Sequence, residues 1–149
     1  MVVGWTGNFN NSIKNFEIVK KSCLLSGVTL VRAKDLNRQE LNKWYNKIDA
    51  VIIASQSEGG PLMLLEAGAV GIPVISVPVG LSREIIKHNK TGMIVNWQPQ
   101  SIAAAINILA IRRSNREKLG RALQQEVLQN WTYQARLFEI RAVLKELCG

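Results

Sequence analysis

AVIIASQSEGGPLMLLEAGAVGIPVISV, residues 50–77, places a Val/Ile run (Ala50–Ala54) and a second apolar run (Pro73–Val77) on either side of a helix-like stretch. Two short apolar runs separated by one helix read as a strand, a crossover and a parallel strand. The segment also carries two carboxylates, Glu58 and Glu66. From Leu62 to Val77 the only charged group is Glu66, and burying it without partners costs several kcal/mol. A polyhydroxylated ligand is a source of those partners. Glu58 falls just past the carboxyl end of the first strand, where open α/β sheets bind ligands, and Gly59-Gly60 lets backbone approach a ligand closely. Pro61 suits the first turn of a helix whose open N–H groups and positive dipole end attract an anion. Hydroxyls for the acids and phosphates for the amides point to a sugar phosphate or a nucleotide sugar.

Working outward, strand-like runs recur at Val2–Trp5, Val28–Arg32 and Met93–Val95, with helical spacing between them. Ile13, Phe16, Ile18, Val19, Cys23 and Leu24 follow the cap candidates Asn10, Asn11 and Ser12, and Gly27 closes that helix. Asn37 followed by Glu40 predicts a capping box for a short helix through Leu41, Trp44, Tyr45 and Ile48, ended by Asp49. Past Pro99, helices open near Ser101, Ser114 and Trp131-Thr132. The fold class is α/β: a Rossmann-like, doubly wound parallel sheet over residues 1–96, with a helical C-terminus over 97–149, in one domain.

The chain has 149 residues, enough to bury roughly two thirds of its unfolded surface. Two cysteines, Cys23 and Cys148, far apart and in predicted helices, suit a reducing cytoplasmic setting. No apolar run reaches the ~18 residues of a membrane span, and no charged leader opens the chain. The net charge of +8 favours anionic ligands or surfaces. Residues 111–149 hold eight Lys/Arg against four Glu, half of that excess. Such a tail is either a solvated helix face or a peripheral contact with anionic lipid headgroups. His88 stands alone in a polar turn, so metal-site spacing is lacking, as is any Ser/His/Asp or Cys/His set for hydrolysis. Trp5, Trp44, Trp97 and Trp131 are scattered and read as packing residues.

The stretch from Ser57 through Glu58 and Glu66 to Ser76 resembles the E-x7-E signature of retaining, GT-B-fold glycosyltransferases of the group 1 (family 4) type. Val79-Gly80-Leu81-Ser82-Arg83-Glu84-Ile85-Ile86, running on to Gly92 and Val95, is similar to that family's G-x-x-E-I-I block. Val3-Gly4-Trp5-Thr6-Gly7-Asn8, ending at Lys14, is similar to its first strand and phosphate loop. The resemblance covers residues 2–96. It implies one half of a GT-B fold, the C-terminal, donor-binding half, with the acceptor-binding domain outside this chain.

By that resemblance Glu66 accepts hydrogen bonds from the ribose hydroxyls, Glu58 faces the donor sugar, and Lys14 meets the donor diphosphate. Lys14 and Glu58 are the implied catalytic pair, while Gly7, Asn8, Lys14, Glu58, Gly59, Gly60, Pro61, Leu62 and Glu66 are the implied donor-binding set. Two positions depart from the pattern. Asn8 stands where the family usually has an Arg, so an uncharged amide faces the phosphates. Gly60 replaces the Phe of E-G-F-G and removes a side chain from the pocket. Arg32, Lys34 and Asp35 either touch the base or form a solvent loop. The plainer readings are a surface lysine for Lys14, a solvated loop charge for Glu58 and a helix-surface Glu for Glu66.

The expected function is sugar transfer from a UDP-, GDP- or ADP-linked donor with retention, by same-face attack assisted by the leaving diphosphate and without a metal cofactor. The isolated chain is expected to bind donor without transferring it. Two alternatives stand beside this: a nucleotide-sugar binding module without catalysis, and a basic nucleic-acid-binding domain. The latter lacks aromatic and basic residues interleaved on a strand platform, so no nucleic acid is expected.

Overall fold

The computed structural model describes residues 1–8 and 10–148, with backbone alone at 138, 139, 142 and 148. Five strands, β1 (Val2–Thr6), β2 (Thr29–Ala33), β3 (Ala50–Ile53), β4 (Val74–Ser76) and β5 (Met93–Ile94), form one parallel sheet in the order β2-β1-β3-β4-β5. The register pairs Val3 with Leu30, Gly4 with Val51, Ile52 with Ile75 and Ser76 with Ile94. Side chains alternate between two cores, as the period of two requires. Val3, Trp5, Ala50, Ile52 and Ile75 join one core, and Val51, Ile53 and Val74 the other. Both faces being covered, β3 and β4 are wholly buried. That is why they read as unbroken apolar runs.

Among the described residues seven α-helices accompany the sheet: α1 (Phe16–Leu25), α2 (Arg38–Tyr45), α3 (Leu62–Ala69), α4 (Ser82–Ile85), α5 (Pro99–Ile111), α6 (Arg113–Asn130) and α7 (Tyr133–Cys148). Val19 and Cys23 of α1 meet Ile102, Ala105, Ile106 and Leu109 of α5 on one face. Trp44 and Tyr45 of α2, Leu64 and Ala67 of α3, and Leu123 and Val127 of α6 fill the other. Burial pushes the free Cys23 thiol up to about 11. Cys148 falls within α7, and its side chain lies outside the described residues.

The expected capping box is present. Asn37 Oδ1 accepts from the Gln39 and Glu40 amides, and Glu40 Oε2 accepts from the Asn37 amide at 2.9 Å. Two expectations need correction, and one element was unforeseen. The Asn10-Asn11-Ser12 stretch does not start α1: Asn11 caps a single 3-10 turn, Ser12–Lys14, and α1 begins only at Phe16. Asn15 separates the two at φ 51°, its side-chain Nδ2 donating to the Ala54 carbonyl at 2.8 Å. Lys14 is therefore on a tight turn rather than in a long helix. Pro61 sits just before α3, at ψ 107°, rather than in its first turn. The four-residue α4 was not expected at all, being too short for a periodic signal.

On α7, Ile140, Val143, Leu144 and Leu147 are exposed at helical spacing. Arg136 lies 4.0 Å over the Trp131 ring. Among the described residues no helix is long and apolar enough to cross a membrane.

Candidate functional site

The strand order reverses between β1 and β3, because the chain moves outward from β1 to β2 and then back across it to β3. At such a switch point the loops at the carboxyl ends part, which opens a crevice. A cleft of about 290 Å³ lies there, walled by Trp5 and Thr6 from the end of β1, Ile53 and Ser55 from the end of β3, and Lys14 and Glu58 from the following loops. Gly59, Gly60, Pro61, Leu62 and Met63 complete it.

Lys14 and Glu58 are brought together as an ion pair through Glu58 Oε1, which also accepts from the Ser55 hydroxyl at 2.8 Å. The Glu58 side chain is 11% exposed and that of Lys14 32%. Glu58 Oε2 is buried and has no hydrogen-bond partner among the described residues. Native structures leave few such atoms, because each costs about 1–3 kcal/mol. That oxygen lies beside the cleft with its acceptor capacity unused.

Gly80 explains why the Glu58 loop holds this position. It has φ 47°, and a Cβ there would fall 2.3 Å from the carbonyl oxygens of both Glu58 and Gly59. The neighbouring Leu81 amide donates to the Gly59 carbonyl at 3.1 Å. Only glycine combines that conformation with that approach. At Gly60 a Cβ would lie 3.0 Å from Leu81 Cδ1. The missing side chain at 60 thus lets Leu81 seat against the loop as well as widening the cleft. Pro61 provides no side-chain cap for α3, leaving its first amides without one.

Glu66 faces a second hollow of about 260 Å³, shared with Thr6, Lys34, Asp35, Leu62 and Met63. Thr6, Leu62 and Met63 wall both hollows. The two carboxylates therefore line adjoining hollows. Glu66 is half-buried, and its expected lack of partners is corrected: the Tyr45 hydroxyl donates to Glu66 Oε2 at 2.8 Å. Burial first, and the Glu66 hydrogen bond second, push the Tyr45 phenol far above its ordinary range, so it remains a donor.

Gly7 and Asn8 stand apart from these walls. Gly7 takes φ 146°, and a Cβ there would meet the Trp5 ring at 3.1 Å. Asn8 is exposed and spends its side-chain oxygen on the Asn10 amide at 3.0 Å. Arg32 lies 5.4 Å from the Phe16 ring centroid, apart from Lys34 and Asp35 beside Glu66. His88 is exposed in its turn, accepting from the Ile94 amide at 3.1 Å. Among the described residues no three His, Cys, Asp or Glu side chains gather as for a metal ion. Sequence reasoning missed Ser55, Thr6 and Tyr45. Ser55, three residues before Glu58, was the most findable, since a hydroxyl there can reach back to the carboxylate.

A family model described as glycosyl transferases group 1 matches residues 7–126. A GDP-mannose-dependent alpha-(1-6)-phosphatidylinositol monomannoside mannosyltransferase of Mycobacterium tuberculosis is 35% identical over 77 residues, 51% of this chain and 20% of that protein. A D-inositol 3-phosphate glycosyltransferase of Paenarthrobacter aurescens is 36% identical over 83 residues, 55% and 20% of the two chains. The chain thus spans about a fifth of the length of these relatives. The C-terminal domain of a glycosyl transferase group 1 family protein from Francisella tularensis superposes with a TM-score of 0.78 at 18% identity, covering 89% of this chain and 86% of that one. Anabaena HepE, solved in complex with UDP and glucose, gives 0.81 at 18% identity, covering 97% and 48%. At that identity the two structures show the shared fold. With the family model running from Gly7 into α6, the chain belongs to the group 1 glycosyl transferases.

Proposed function

We propose that the crevice binds a nucleotide-sugar donor for retaining sugar transfer. The observation that carries this is the orphaned, buried Glu58 Oε2 beside Lys14 at the switch point of a parallel sheet. In this reading the donor diphosphate takes Lys14, which lies on a turn and is one-third exposed, and so releases Glu58 from the ion pair. Glu58, still anchored by Ser55, then accepts from a hydroxyl of the donor sugar. Glu66 accepts from the ribose. Leaving-group charge is met by Lys14 and the uncapped amides at the start of α3, which need no metal. The acceptor attacks from the face the diphosphate leaves, and the departing oxygen takes its proton. Catalysis then rests on stabilising that diphosphate.

The matched stretches are about a fifth of each relative, and the α7 stripe is exposed. The reading therefore includes a second Rossmann-like domain, in cis or in trans, that supplies the acceptor site and closes the cleft against water. A name that specifies GDP-mannose in one relative and a bound UDP in a structural neighbour leave both bases to be tested. Calorimetry with UDP, GDP and ADP should find one that binds, with Lys14→Ala weakening it about tenfold or more. Silence from all three would end the donor-site reading. A second reading, binding without catalysis, is favoured by Asn8, whose uncharged side chain is spent within its own loop. It is separated by assaying transfer after the second domain is supplied: transfer supports the enzyme, and binding with no transfer supports the module.

A further inference from the structure

We propose that Tyr45 is a positioning residue for the nucleotide, its hydroxyl fixing the Glu66 carboxylate so that the other oxygen is presented to the ribose diol. This rests on the reading of Glu66 as the ribose contact. Tyr45 is the last residue of α2 and is 3% exposed, its ring within the apolar core between that helix and α3. Trp44 packs edge-on against it, ring centroids 5.0 Å apart at 72°. The hydroxyl is thus located by the core, not by a mobile surface chain. It meets Glu66 Oε2 at 2.8 Å, while Glu66 itself forms a wall of the crevice.

A glutamate on a half-exposed helix face has three rotatable bonds, and ordering them on binding costs affinity. A buried donor that holds one oxygen removes part of that cost beforehand. It also fixes which oxygen faces the hollow. Because the phenol stays protonated across the usual pH range, the contact acts as a constant support rather than a switch. A purely structural tie between α2 and α3 predicts something different: a change in melting temperature with no preference among nucleotides.

The test compares the full chain with Tyr45→Phe, Glu66→Ala and the double variant. Each is titrated calorimetrically with UDP, GDP and ADP and with their 2′-deoxy and 3′-deoxy forms. Tyr45→Phe keeps the packed ring, and a thermal melt checks that the fold persists. The expected result is a loss of about three- to tenfold for the ribonucleotide that binds. The deoxy form that lacks the contacted hydroxyl should be hardly affected, and Tyr45→Phe should add nothing in the Glu66→Ala background. An unchanged affinity, or an equal loss for ribo and deoxy forms, overturns the positioning role if Glu66→Ala still erases ribose discrimination. If Glu66→Ala leaves that discrimination intact, the ribose contact itself fails, and this inference falls with it.

Discussion

Two ion pairs lie at opposite ends of the sheet, each beside a hollow of similar size. At the amino ends, Asp49 accepts from the Val2 amide at 2.7 Å and lies 3.6 Å from Arg116 Nε, and Arg116 Nη1 donates to the Leu109 carbonyl at 2.7 Å. The adjoining hollow is about 330 Å³. At the carboxyl ends, Lys14 meets Glu58 beside about 290 Å³. Volume does not distinguish the two; satisfaction does. Neither Asp49 nor Arg116 has a buried polar atom left without a partner, whereas Glu58 Oε2 has none. The Asp49 network ties the start of β1 to α6 and the end of α5. The Glu58 pair leaves one buried carboxylate oxygen without a donor, which is the contrast the proposed donor site rests on.

The largest expected effect tests the first half of that contrast. Asp49→Ala removes a charge-assisted hydrogen bond to a strand amide and a partly exposed ion pair, so it should destabilise the fold by about 2 kcal/mol. Nucleoside diphosphate affinity should not change. Denaturant unfolding checks the first and calorimetry the second. If Asp49→Ala melts like the parent but loses nucleotide, the two ends have been assigned the wrong way round.

That contrast was only half legible in the sequence. The strands were legible because buried parallel strands need unbroken apolar runs, and the position of Glu58 past β3 followed from the chain order alone. The two cores could not be separated without the strand order, since Val51 and Ile52 look alike until one knows which face each meets. Lys14 and Glu58, 44 residues apart, meet only because β1 and β3 are neighbours. The Asp49–Arg116 contact has the same character, and α6 carried no motif to announce it. Tyr45 read as one more apolar position of α2. Its hydroxyl gained meaning only when α3 was seen to present Glu66 to it. The 3-10 turn escaped for a local reason: Asn15 can adopt a left-handed conformation, so a run of helix-starting residues was broken in two.

A smaller effect sharpens the second half. Glu58→Gln removes the anion that competes with a diphosphate for Lys14 and keeps the side-chain size. Stability should change by no more than about 0.5 kcal/mol, since Lys14 can turn to solvent. The free nucleoside diphosphate should bind more tightly, by about 1 kcal/mol. The sugar-linked form should not share that gain, because an amide replaces the carboxylate that accepts its hydroxyl. Were both ligands to tighten equally, Glu58 would be a competitor for Lys14 and nothing more.

The smallest expected effect concerns Asn8, the uncharged residue of the loop proposed to meet the diphosphate. Asn8 is exposed, and among the described residues its side-chain oxygen holds only the Asn10 amide two residues on, at 3.0 Å. Asn8→Arg therefore removes a weak local turn contact and places a guanidinium on a loop whose other end carries Lys14. An exposed cation near an anionic ligand contributes about 0.5–1 kcal/mol at low ionic strength. The affinity for free nucleoside diphosphate should rise by that amount at about 10 mM salt. It should return to the parent value near 1 M, where screening acts over about 3 Å. Lys14→Ala, closer to the cleft and partly desolvated, should lose more than Asn8→Arg gains and should keep a larger share of its effect in salt. The ratio of the two salt slopes measures how deep each position sits relative to the phosphates. If Asn8→Arg weakens binding while Lys14→Ala leaves it untouched, the loop from Gly7 to Lys14 does not hold the diphosphate, and the orphaned oxygen of Glu58 must be serving some other ligand.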